Sequence, residues 1–71
     1  MPKLNTKIYD LRVQRKMTQS ELAELCNVRR ETILKLEAGK YNPSLKLAMD
    51  IAKVFNKSVE DIFFFESEDD E

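Results

Sequence analysis

Apolar residues recur along this chain at helical spacing, in five short bouts divided by turn residues. Ile8 and Leu11, with Leu4 before them, predict a first helix from about Thr6 to about Lys16. Met17 lies between the first two helices, where a flexible side chain fills a core gap. Thr18 then begins a second helix, and Glu21 three residues on completes a Thr-x-x-Glu capping box. Leu22, Ala23, Leu25 and Cys26 make that helix's apolar side. The pattern breaks at Asn27, a residue that tolerates the left-handed backbone of a helix end. It resumes with Ile33 and Leu36 on a third helix, which Gly39 ends and Pro43 keeps from continuing.

Ser44 caps a fourth helix with Leu45, Ala48, Ile51, Ala52 and Phe55 as its stripe, finished by Asn56-Lys57. Ser58 caps a fifth, with Asp61 as its capping-box partner and Glu60 near the positive helix end. Val59 and Ile62 seal the core. The expected fold is all-α: five short helices, brief connections and no internal repeat.

Helices 2 and 3, joined by a turn, form a helix-turn-helix, with Ala23 small where the two must approach. With Arg30 placed at zero and about 100° per residue, helix 3 divides into two arcs. Thr32, Ile33, Leu36 and Glu37 fall on one, which packs inward. Arg30, Glu31, Leu34 and Lys35 fall on the other, with Arg29 at the helix entrance. A helix buried on one side and basic on the other fits a DNA major groove. An ordinary solvated helix carries the same charges, and the pattern alone does not separate the two.

These residues resemble the Xre/Cro/C1-type helix-turn-helix transcriptional regulators. The resemblance is carried by Thr18-Gln19-Ser20-Glu21-Leu22-Ala23, Asn27-Val28, Thr32-Ile33, Leu36-Glu37, Gly39-Lys40 and Asn42-Pro43-Ser44, and extends from about Ile8 to Phe64. It implies a five-helix, lambda-repressor-like DNA-binding domain. It further implies that Gln19 anchors a phosphate and that Thr18, Lys40, Tyr41 and Asn42 meet the DNA backbone on the other flank. Arg29 meets phosphate or base. Arg30, Glu31, Leu34 and Lys35 become the base readers, and Arg12 pairs with Glu37 to brace helix 1 against helix 3. Three positions depart from the family pattern: Asn27 replaces the usual Gly, Arg29 the usual Ser or Thr cap, and Glu31 a common Gln.

Net charge is −1, which does not suit a DNA binder until its distribution is considered. Five of the 13 acids lie in residues 66–71. Without that run, 12 basic residues face 8 acids, a net of +4. The expected division is a basic domain over 1–65 and an acidic, disordered tail over 66–71. The chain of 71 residues allows one domain with a small core.

Its composition of 42% hydrophobic and 35% charged residues suits a soluble helical protein. The longest apolar run, Ile62–Phe65, is far too short to span a membrane. The N-terminus lacks the apolar segment of a secretory signal, and the single Cys26 belongs in the core. These features point to the cytoplasm.

Phe63, Phe64 and Phe65 are more apolar bulk than a small core needs, and an exposed aromatic cluster marks an interface. A homodimer through these rings is expected, the alternative being a monomer that buries all three. Residues 63–66 either continue helix 5 or, as the resemblance to small regulators of this family allows, form a strand against Lys3–Thr6. An enzyme is not expected, because the chain has no His, no metal-ligand cluster and no Gly-rich phosphate loop. No cofactor, metal, membrane or small-molecule partner is expected. The expected partner is double-stranded DNA bearing a near-palindromic operator, bound by a repressor. The rival reading is a protein-interaction module, antitoxin-like or coactivator-like, that uses the phenylalanines with DNA binding secondary.

Overall fold

Four helices end in the same way, and these ends set the layout of the chain. Lys16, Asn27, Gly39 and Asn56 each adopt a left-handed backbone, with φ of 55°, 59°, 72° and 55°. At each, the following N–H reaches back five residues: Met17 to Arg12 O, Val28 to Ala23 O, Lys40 to Lys35 O and Lys57 to Ala52 O. This is the Schellman closure, which satisfies carbonyls that a helix end leaves open. The structure is a computed structural model and describes residues 3–66. In order, the elements are β1 (Lys3–Thr6), α1 (Ile8–Gln14), α2 (Gln19–Leu25), α3 (Arg30–Glu37), α4 (Leu45–Phe55), α5 (Val59–Ile62) and β2 (Phe63–Glu66).

The starts are equally local. Thr18 Oγ1 accepts from Glu21 N at 3.0 Å while Glu21 Oε1 accepts from Thr18 N at 2.8 Å, a complete capping box. Ser58 and Asp61 make the same reciprocal pair at the start of α5. Ser44 Oγ accepts from Leu47 N at 3.1 Å at the start of α4. Helix α1 is shorter than its periodicity suggests. Thr6 is drawn into β1 at one end, and Lys16 turns left-handed at the other.

Around the core, Ile8, Leu11, Leu22, Ala23, Cys26, Ile33, Leu36, Ile51, Phe55 and Ile62 are buried together. Two stripe residues differ from expectation. Leu45 is 74% exposed, and Leu47 is buried in its stead. Leu45 is the first residue of α4, and a helical side chain leans towards the N-terminus, past the end of the helix. Leu25 is 62% exposed because Leu22, Ala23 and Cys26 define the buried face of α2, and Leu25 falls outside that arc.

The chain ends meet as a two-stranded antiparallel sheet. Its register is Lys3↔Glu66, Leu4↔Phe65, Asn5↔Phe64 and Thr6↔Phe63. Residues 63–66 are therefore a strand and do not continue α5, and Glu66 belongs to the sheet, one residue beyond the expected end of the domain. Asn5 Nδ2 donates to Glu66 Oε1 at 2.6 Å, and Lys7 N donates to Ile62 O at 2.9 Å. Residues 67–71, the rest of the expected disordered tail, lie outside the described residues. Opposed residues of an antiparallel pair share a face, so Leu4 and Phe65 lie on one side with Thr6 and Phe63. Leu4 is buried and Phe63 packs half-buried against the core, whereas Phe64 and Phe65 are exposed. The three rings are thus neither all internal nor all free.

Candidate nucleic-acid interface

Helix α3 is held from behind by Ile33 and Leu36, both fully buried, and α2 packs against it. The opposite arc is open. Arg30, Glu31, Leu34 and Lys35 are all exposed, and Leu34 at 45% is an apolar residue among charges. Arg29 stands at the N-cap in extended conformation and makes no side-chain cap, so the first N–H groups of α3 have no side-chain acceptor there. The division into arcs follows from 3.6-residue periodicity, and the burial along α3 obeys it.

One carboxylate fixes this helix to its neighbours. Glu37, at the last turn of α3, accepts from Arg12 Nε at 2.7 Å through Oε2 and from Arg12 Nη2 at 3.1 Å through Oε1. Arg12 Nη1 donates to Met17 O at 2.9 Å, closing the link between α1 and α2. Both charged side chains are about nine-tenths buried. The fork-on-fork geometry satisfies the desolvated groups. The Glu37 hydrogen bonds raise the Arg12 pKa above its ordinary value, against the opposing pull of burial. The guanidinium also lies 5.3 Å from the centre of the Tyr9 ring.

Gln19 joins the same group, its Nε2 donating to Glu37 Oε1 at 3.1 Å. An amide nitrogen has two hydrogens, so one remains for another acceptor. This bond places the first turn of α2 beside the last turn of α3. Gln19, with Thr18 beside it in sequence, therefore lies at the end of α3 that leads into Lys40, Tyr41 and Asn42. Lys40, Tyr41 and Asn42 are all exposed. The Thr18 hydroxyl accepts from Glu21 N and retains its own hydrogen for donation.

Other charges are committed elsewhere. Arg15 donates to Val54 O at 2.8 Å and to Phe55 O at 2.9 Å, and lies 5.2 Å from the Phe55 ring centre. It thereby satisfies carbonyls at the end of α4. Nothing near Arg15 in sequence signals this, because its partners are about forty residues away. Lys46 and Asp50 form an exposed pair one turn apart on α4. Burial raises the Cys26 thiol above its usual pKa, and the residue sits in the core. Among the described residues, no helix is long and apolar enough to cross a membrane, and no His, Cys, Asp or Glu cluster has metal-binding geometry.

Residues 8–62 match the helix-turn-helix family as a sequence profile. An uncharacterized HTH-type transcriptional regulator of Archaeoglobus fulgidus is 58% identical over 66 residues, covering 93% of each chain. A second, from Methanocaldococcus jannaschii, is 47% identical over 66 residues, which are 93% of this chain and 100% of the relative. Among solved structures, the transcriptional regulator VanUg aligns with a TM-score of 0.77 at 26% identity, over 94% of this chain and 89% of its own. The restriction-modification controller protein C.AhdI from Aeromonas hydrophila shares the fold, with a TM-score of 0.71 at 24% identity over 78% of this chain and 83% of its own. With its helix-turn-helix in α2 and α3 and this match along most of its length, the chain belongs to the Xre/Cro/C1-type helix-turn-helix family of DNA-binding transcriptional regulators.

Proposed function

We propose that this regulator binds double-stranded DNA sequence-specifically as a homodimer and represses transcription by occupying its operator. The observation that carries the reading is the exposed face of α3, Arg30, Glu31, Leu34 and Lys35, on a helix fixed from behind by Ile33, Leu36 and Glu37. In this reading α3 enters the major groove. Arg30 and Lys35 donate to guanine O6 and N7, Glu31 accepts from cytosine N4, and Leu34 meets a thymine methyl. Gln19, Thr18, Lys40, Tyr41 and Asn42 hold one end of the helix against phosphates, and Arg29 holds the other. In this reading the protein works in the cytoplasm, beside its DNA.

One such module offers few base contacts, and a two-fold dimer offers twice as many. Dimers of this kind place recognition helices about 34 Å apart and read near-palindromes. Phe64 and Phe65, exposed on opposite faces of β2, supply apolar surface for the pairing, and Phe63, on the face of Phe65, packs against the core. The test is operator binding by Arg30→Ala and Lys35→Ala, with dimerisation followed in parallel. Each substitution should weaken specific binding by about 1–3 kcal/mol and leave the dimer intact.

The same exposed rings favour a second reading, an adaptor that docks a protein partner and binds DNA only secondarily. Unchanged DNA binding in the α3 variants, with a partner lost on Phe64→Ala, would establish that reading.

A further inference from the structure

Gly39 ends the recognition helix with φ at 72°, and another part of the chain passes directly over it. A Cβ at Gly39 would lie 2.9 Å from the backbone oxygen of Leu4 and 3.7 Å from Lys3 Cε. Strand β1 therefore crosses the turn in contact with it, and the Lys3 stem lies along the same surface. Its ammonium is one bond beyond Cε. The next residues after Gly39 are Lys40, Tyr41 and Asn42, all exposed. The two-stranded sheet thus carries a cation from the start of the sequence to the loop that leaves the recognition helix.

We infer that Lys3 is a further phosphate-binding residue, extending the flank formed by Gln19 and Lys40–Asn42. The inference rests on the proposed DNA-binding face and adds to it a residue outside the helix-turn-helix. The placement is fixed by backbone: Leu4 is buried, the Leu4 carbonyl is packed on Gly39, and β1 is held in register by β2. Lys3 itself is exposed, so its stem covers the turn while its head meets solvent. Glu66 lies opposite Lys3 in the register, and its carboxylate accepts from Asn5. A lysine held as a point charge beside this loop suits a phosphate and carries no base preference.

The experiment is a salt titration of duplex binding by the unmodified protein, Lys3→Gln, Lys3→Arg, Glu66→Gln and a control, Lys57→Gln, beside α5. Two duplexes serve as probes: the operator obtained by selection and an unrelated mixed sequence. Lys3→Gln should weaken both by the same factor and lower the slope of log affinity against log salt by about 0.9 for each protomer. Lys3→Arg and Lys57→Gln should keep the full slope, and thermal melting should show all variants folded. An unchanged slope for a folded Lys3→Gln protein overturns the inference, as does a loss confined to the operator. If Glu66→Gln reproduces the Lys3→Gln loss, Lys3 acts through its sheet partner and the inference is overturned. If the unmodified protein binds neither duplex, the DNA-binding reading itself fails, which is a different result from a silent Lys3.

Discussion

Gln19 and Glu37 meet where the two helices of the motif converge, with Gln19 Nε2 3.1 Å from the Glu37 oxygen that also accepts from Arg12 Nη2. A single carboxylate thus ties α1, α2 and α3 together, at the end of the recognition helix where phosphate contacts are proposed. A displacement of Glu37 removes the hydrogen bond that positions the Gln19 amide, the group proposed to meet a phosphate.

Removing one partner of this buried pair should be far worse than removing both. Arg12→Met leaves Glu37 charged and buried, and should cost about 3–5 kcal/mol in urea unfolding. Arg12→Met combined with Glu37→Leu should recover much of that loss, since no uncompensated charge remains. Equal destabilisation in the single and double variants would show that the pair contributes mainly through packing.

Gly39→Ala should destabilise the fold by about 1–3 kcal/mol, because a left-handed backbone must be held by a residue with a Cβ. The nearest obstacle is the carbonyl of Leu4, at 2.9 Å, which no rotamer change can move. Urea unfolding measures the loss. A neutral substitution would mean that β1 lifts off the turn freely.

Arg29→Ser should raise stability and lower DNA affinity together. Arg29 occupies the N-cap of α3 without capping it, and a serine there supplies the missing acceptor, worth about 1 kcal/mol. The same change removes a cation from the helix entrance. Thermal melting and duplex titration read the two effects separately. A gain in stability with unchanged affinity would remove Arg29 from the phosphate contacts.

Asp61 gives the fold a pH signature. Its pKa lies below the ordinary value, chiefly because it accepts from the Ser58 hydroxyl and then from the Ser58 backbone N–H. A carboxyl lowered on folding contributes stability that is present above its unfolded pKa and lost as pH falls through its folded pKa. Asp61→Asn should therefore melt below the unmodified protein at neutral pH, and the gap should close once the solution is acid enough to protonate Asp61. A gap that persists in strong acid would place the effect in packing rather than charge.

What the sequence made legible was local. Thr18 with Glu21, Ser44, and Ser58 with Asp61 announce helix starts because cap and partner are three residues apart. The exposed face of α3 was legible because a 3.6-residue period sorts Ile33 and Leu36 from Arg30 and Lys35 without reference to the rest of the chain.

The missing pieces depend on tertiary neighbours. Lys16 takes a left-handed exit that its residue type does not advertise, and Arg15 answers carbonyls on α4. Leu47 displaces Leu45 from the core because the position along α4 counts as well as the angle around it. The sequence left residues 63–66 open between helix and strand. Their pairing with Lys3–Thr6 depends on the two chain ends meeting, which no local pattern records. Of the site itself, the arcs of α3 were readable, whereas the approach of Lys3 to Gly39 was not.

On the proposed function, α3 reads sequence in a DNA duplex as one half of a two-fold pair. Selection of bound duplexes from a random pool, followed by salt titration of the winner, is the decisive measurement. A near-palindromic site bound far above background, with half-sites one helical turn apart and a steep negative salt slope, is the expected result. Weak binding indifferent to sequence would contradict the claim, and would turn attention to Phe64 and Phe65 as the docking surface for a protein partner.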